Sequence, residues 1–77
     1  MEIIENWDEV GKLLRRKRKE AGIKQGHVAS KAGYATNHLS NVECGNAPAS
    51  LNVVRRVLEV LGYELVMGVK KIGDDDT

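Results

Sequence analysis

A run of uncharged polar side chains lies between Gly33 and Gly45. The hydrogen-bonding members of this run are Thr36, Asn37, His38, Ser40 and Asn41. An asparagine amide can donate to N7 and accept from N6–H of adenine, and a threonine can bond a base or place its methyl group on thymine. Since Asn37 and Asn41 are four residues apart, they share a face if the segment is helical. The absence of any acid before Glu43 suits a helix face that enters a DNA groove.

Positive charge is concentrated just before this run. Residues 12–31 carry eight lysines and arginines against Glu20 alone, a local charge of +7, although the net charge of the chain is only +1. The charged residues of 1–11 are all acidic. A basic block of this kind fits either a solvated helix face or a binding surface for a polyanion. Because consecutive helical residues lie about 100° apart, at most two cations of the run 15–19 can face one row of phosphates.

Length and composition exclude most enzymes and a membrane-spanning protein. The chain has 77 residues, of which 42% are hydrophobic and 30% charged, as expected of one small globular domain. No apolar run approaches the roughly 20 residues of a membrane span, and the acidic start does not resemble a signal peptide, so a cytoplasmic location is expected. The single cysteine and two histidines lack the spacing of a zinc site. We therefore expect no metal, no cofactor and no catalytic residue.

Apolar periodicity and helix-end signals predict four helices. The first covers about 7–21, two short ones lie around 25–32 and 36–44, and a fourth begins after Ser50, a favourable N-cap, and stops at Gly62. The predicted buried stripes contain Trp7, Val10, Leu13, Leu14, Ala21, Val28, Ala29, Ala32, Leu39, Val42, Leu51, Val54, Val57, Leu58 and Leu61.

After Gly62 the period changes from helical to alternating. Large apolar residues occur at every second position, at Tyr63, Leu65, Met67 and Val69. This alternation predicts a strand over 63–72. A lone strand cannot satisfy its own backbone groups, and the chain has no second strand pattern. The expected pairing partner is a second copy of the chain, which gives a homodimer. Residues 73–77 are expected to be a disordered acidic tail.

Two short helices joined by a turn at 33–35 are an arrangement in which one helix enters the DNA major groove and the other braces it on the backbone. This segment resembles the helix-turn-helix of the Cro/C1-type (XRE) repressor family. Within it the matching residues are Gln25, Ala29, Ala32, Gly33, Leu39, Ser40, Val42, Glu43 and Gly45. Outside it they are Leu14, Arg18, Ala21, Gly22, Ser50, Leu51, Val57 and Leu58, so the resemblance covers about 7–62.

The resemblance implies an all-α, lambda-repressor-like domain of four to five helices over 7–62, with the helix-turn-helix at about 25–44. It implies an ion pair between Arg18 and Glu43 that joins the first and third helices, although a direct phosphate contact by Arg18 is an equal alternative. Taken with the chemistry of the polar run, it predicts DNA contacts by Lys24, Gln25, Thr36, Asn37, His38, Ser40, Asn41 and Asn46.

Some positions depart from the family pattern. Lys24 stands where the family usually has Ser or Thr, and Gly26 stands where it usually has Glu. Lys24 either adds charge near a phosphate or is a change at a tolerant site. Ala35 replaces a usual capping residue, so Thr36 either reads a base or caps the third helix instead.

The ending Leu61–Val66 is similar to small HipB-type antitoxins, in which a C-terminal strand helps to form the dimer. The predicted function is a transcriptional repressor that binds a palindromic double-stranded operator as a homodimer. The resemblance further implies the antitoxin of a toxin–antitoxin pair, with a HipA-like kinase as the toxin. The alternatives are a stand-alone phage or plasmid repressor and a protein-interaction module that has lost DNA binding.

Overall fold

The computed structural model describes residues 1–73. A short 3₁₀ turn at Trp7–Glu9 leads into α1 (Val10–Ala21), which is followed by α2 (Gln25–Ala32), α3 (Thr36–Cys44) and α4 (Leu51–Val60). The all-helical class and the four helices agree with the prediction. Most of the predicted acidic tail, residues 74–77, lies outside the described residues. Within residues 1–73, no helix has the length and apolar character that crossing a bilayer requires.

The ends of the helices follow from local chemistry. At the end of α2, Gly33 adopts a φ of 86°, which a residue with a Cβ rarely takes, and the following Tyr34 N–H donates to the Ala29 carbonyl at 2.8 Å. α1 and α3 also end at glycines with positive φ. At the start of α4, the Ser50 hydroxyl accepts from the Val53 N–H at 3.2 Å, so the predicted cap is confirmed.

The start of α1 differs from the prediction, and the capping alternative given for Thr36 at the start of α3 is not observed. The first helix was expected from residue 7, but the Asn6 side chain accepts from the Asp8 N–H at 3.0 Å and holds a 3₁₀ turn, so α1 begins only at Val10. Thr36 does not cap α3, because the N-cap position is Ala35 and no side chain accepts a hydrogen bond there. The hydroxyl of Thr36 is therefore not engaged as a cap.

One apolar core joins all four α-helices. Its buried members are Val10, Leu14, Val28, Ala29, Ala32, Leu39, Val42, Val53, Val54, Val57 and Leu58. Most of these were predicted. Val53 was missed, whereas Ala21, Leu51 and Trp7 are exposed. Trp7 lies at the rim because its indole N–H donates to the Ala49 carbonyl at 2.8 Å, and this bond ties the start of the chain to the loop before α4.

Where α1 crosses α3, the backbones approach without an intervening side chain. Gly11 is buried, and a Cβ placed on it would overlap the carbonyl oxygen of Val42 and lie 3.3 Å from that of Glu43. Only glycine allows this approach. The contact fixes the position of α3 against α1 and therefore the direction of its exposed face.

The predicted strand over 63–72 is not formed, because within residues 1–73 no other segment pairs with it. The segment leaves α4 with the Tyr63 N–H bonded to the Leu58 carbonyl at 2.8 Å, and Leu65 packs on the core. Beyond that point its apolar side chains face solvent, with Val66 58% and Val69 fully exposed. A groove of about 570 Å³ separates the segment from residues 1–5.

Candidate nucleic-acid interface

The exposed face of α3 carries both asparagines of the polar run. Asn37, Asn41 and Cys44 are all exposed and occur at i, i+4 and i+7, which places them within about 60° of one another around the helix axis. Leu39 and Val42 are buried on the opposite side. α3 therefore presents two amide side chains outward from a helix whose other side is fixed in the core.

The polar side chains beside Asn37 and Asn41, which we call the amide stripe, differ in their exposure. Thr36 is exposed at the first position of α3, while Ser40 and His38 are half-buried at the edges of the exposed face. The His38 ring lies 5.5 Å from the Tyr34 ring at an interplanar angle of 42°. The Arg56 guanidinium of α4 in turn lies 6.0 Å from Tyr34. Packing against Tyr34 therefore restricts the orientation of His38 beside the amide stripe.

The N-terminal ends of α2 and α3 have no side-chain cap. Lys24 occupies the N-cap position of α2 in an extended conformation, with its side chain exposed and not bonded to the helix backbone. Ala35 occupies the same position in α3. First-turn N–H groups that no side chain caps suit the binding of an anion such as a DNA phosphate. The Lys24 ammonium adds a positive charge at the α2 end.

Arg18 and Glu43 form a bidentate ion pair between α1 and α3. The Arg18 Nε and Nη2 atoms donate to Glu43 Oε2 and Oε1 at 2.8 and 2.9 Å, and Arg18 Nη1 donates to the Ile23 carbonyl at 3.1 Å. The Glu43 side chain is 1% exposed, and its hydrogen bonds raise the pKa of Arg18 above its usual range. Because this geometry engages three guanidinium nitrogens, it favours the structural role over the phosphate alternative for Arg18.

Gln25 belongs to the same network, which sequence reasoning missed. Its amide Nε2 donates to Glu43 Oε1 at 3.0 Å, so this donor is directed inward rather than toward solvent. The network thereby joins the start of α2 to α1 and α3. The available signal was chemical: a buried carboxylate has more acceptor capacity than one arginine fills, and Gln25 opens the adjacent helix.

Asn46 is exposed in the turn after α3, where its backbone N–H donates to the Asn41 carbonyl at 2.8 Å. Asn46 therefore follows the C-terminal end of α3, where it lines a surface groove with Trp7, Gly11 and Ala49. The structure thus brings the predicted set together around α3 and the start of α2, with Gln25 turned inward and His38 packed on Tyr34.

Part of the basic block is neutralised by the N-terminal residues. Glu2 contacts both Arg16 and Lys17, and these hydrogen bonds lower the pKa of Glu2 and raise the pKa of each cation. The Lys17 ammonium also lies 5.0 Å from the Tyr63 ring centroid. The acidic start and the C-terminal segment therefore meet on one side of α1. Arg15, Lys19 and Lys24 form no ion pair with any residue of 1–73.

Cys44 is a free, exposed thiol. In the part of the chain that the structure describes, no group of three His, Cys, Asp or Glu side chains is arranged to hold a metal ion.

Comparison with known proteins identifies the family at the level of the helix-turn-helix domain. A comparison with curated proteins found no match of significant similarity. A family model described as a helix-turn-helix domain matches residues 9–66, more than half of the chain. The matched range contains all four α-helices, including the turn between α2 and α3. The chain therefore belongs to the helix-turn-helix domain family.

Proposed function

We propose that this protein is a sequence-specific DNA-binding transcriptional regulator whose α3 reads bases in the major groove. The supporting observation is the exposed amide stripe of Asn37 and Asn41, on a helix whose opposite side is buried in the core. The uncapped start of α2, with Lys24 at its N-cap position, supports a backbone phosphate contact there. Membership of the helix-turn-helix family supports the same role.

The form of regulation that fits best is repression by a homodimer. Two copies related by a two-fold axis would place two α3 helices about 34–36 Å apart, one turn of DNA, and would read a palindromic operator. Occupancy of such a site would block a promoter. Operator symmetry is therefore a direct consequence of the proposed assembly.

The test of this function begins with selection of enriched sequences from random duplexes by the purified protein. Asn37→Ala and Asn41→Ala should each weaken binding to the enriched site by about 1–3 kcal/mol per half-site, roughly 5- to 150-fold for each half-site, because each removes a bidentate base contact there. Binding to unrelated duplex should change little. Asn52→Ala is the matched control, since Asn52 is an exposed asparagine on α4. Equal effects of all three changes would contradict base reading by α3.

The exposed apolar side chains of the C-terminal segment support dimerisation there. Val66, Met67, Val69 and Ile72 are between 58% and fully exposed, an arrangement that a second copy could cover by pairing the two segments as strands. Removal of residues 66–77 retains Leu65, which packs on the core. We expect the shortened chain to remain helical by circular dichroism and to sediment as a monomer, whereas the full chain sediments as a dimer. A shortened chain that stays dimeric would contradict this assembly.

The antitoxin role rests on the similarity of Leu61–Val66 to HipB-type antitoxins. A toxin such as a HipA-like kinase would have to bind this regulator as a stable complex. Co-expression with a kinase encoded beside it, followed by size-exclusion chromatography, tests that role. Separate elution of the two proteins would favour the stand-alone repressor. If the selection enriches no sequence and the kinase still binds, the protein-interaction module becomes the better description.

A further inference from the structure

A row of basic side chains on α1 borders the C-terminal end of α3. Lys12, Arg15 and Lys19 occur at i, i+3 and i+7, so they lie within about 60° of one another around the α1 axis. All three are exposed, and together with Cys44 they line a surface groove of about 690 Å³ between the two helices. We call these three residues the α1 basic row.

The α1 basic row retains its positive charge. Arg15 and Lys19 form no ion pair with any residue of 1–73, and Lys12 pairs only with Glu9 at 3.2 Å, where both side chains are more than half exposed. An exposed pair of this kind contributes little and is readily exchanged for another anion. The neighbouring Arg16 is held by Glu2.

Two acids line the same groove, and both are engaged by other cations. Glu43 is buried in its bidentate pair with Arg18. Glu20 lies 3.7 Å from the Lys17 ammonium. The lining carries four cations, Lys12, Arg15, Arg16 and Lys19, against these two acids, so the net charge of the groove is positive.

We infer that the α1 basic row binds the DNA backbone beside the site read by α3, an inference that rests on the proposed DNA-binding function. Cys44 shares the exposed stripe of α3 with Asn37 and Asn41 and also lines the groove of the α1 basic row. A duplex that contacts the amide stripe therefore runs past this groove. The row extends about 10 Å along α1, which is long enough to contact more than one phosphate of a DNA strand.

The test is the salt dependence of binding to the enriched duplex. The double variant R15Q/K19Q removes two cations from exposed helix positions while keeping residues of good helix propensity. In the proposed dimer the variant loses two phosphate contacts in each protomer, four in all, which should reduce the magnitude of the slope of log K against log salt by about 3.6 units. The ratio of specific to non-specific binding should stay unchanged, because phosphate contacts carry no sequence information.

The matched control is K31Q/R55Q, which removes the same charge from exposed positions of α2 and α4. It should leave the slope unchanged. An unaltered slope in R15Q/K19Q, or equal reductions in both double variants, would overturn the proposed contact while the specific binding of the unmodified protein still stood. If the unmodified protein binds no duplex specifically, the proposed function itself fails. Thermal unfolding of both variants establishes that each is folded.

Discussion

Replacing Glu43 by alanine is expected to lower the free energy of unfolding by about 3–5 kcal/mol, because removal of one member of a buried ion pair leaves the other charge uncompensated. The Arg18 side chain is only 11% exposed, and the change would also remove the acceptor of the Gln25 amide. A domain of this length has roughly 4–12 kcal/mol of stability in total. Urea unfolding followed by circular dichroism measures the loss.

Two further variants distinguish the cost of an uncompensated buried charge from the cost of removing a glutamate side chain. Arg18→Met combined with Glu43→Leu removes both charges and should recover much of the lost stability, since a well-packed apolar pair often replaces a buried ion pair without cost. Glu59→Ala breaks the exposed pair with Arg55, at 3.5 Å, and should cost no more than about 0.5 kcal/mol. A Glu43→Ala loss as small as that of Glu59→Ala would show that the network does not stabilise the fold.

Gly11→Ala is expected to destabilise the domain by about 3 kcal/mol and to lower Tm by roughly 12–24 °C. The added methyl group would overlap the Val42 carbonyl oxygen, which belongs to the backbone of α3 and cannot rotate away. α1 and α3 would have to separate. Thermal unfolding monitored by circular dichroism at 222 nm, the usual helix wavelength, measures the shift.

Gly26→Ala is the matched control, because it makes the same change in another helix. A Cβ at Gly26 would meet only the Thr36 hydroxyl at 3.5 Å, an ordinary contact. The better helix propensity of alanine should raise stability by up to about 1 kcal/mol. If both variants were equally stable, the close approach of α1 and α3 would not be the reason for glycine at position 11.

Glu43→Ala and Gly11→Ala both test how α3 is held against the rest of the fold. The Arg18–Glu43 pair, the inward-facing Gln25 amide and the glycine contact all fix α3 against α1 and α2. Side chains on a rigidly held helix reach base edges with less loss of conformational freedom on binding. Under the proposed function, the buried network would hold Asn37 and Asn41 in place for base contact.

The local features of the fold could be predicted from the sequence. The bounds of α2 and α3, the stop at Gly33 and the cap at Ser50 all depend on residues within one helical turn of each other. The exposed amide stripe likewise follows from a four-residue spacing. Such signals depend on helix geometry alone, so they need no knowledge of the tertiary structure.

Contacts between distant residues could not be predicted in the same way. Gln25 and Glu43 are 18 residues apart, and Glu2 lies 14 residues from Arg16. Alternation correctly indicated that 63–72 is not helical, but a strand also needs a partner, which is absent from the described part of a single chain. Periodicity therefore identified the face of each helix but could not identify which polar groups meet across the fold.

The most direct measurement for the central claim is amide chemical-shift mapping of the isotope-labelled protein with its selected duplex. If α3 reads the DNA, the largest changes should occur at residues 36–41 of α3 and at the start of α2, at Lys24 and Gln25. Changes concentrated in 63–72, with residues 36–41 unaffected, would contradict DNA reading by α3.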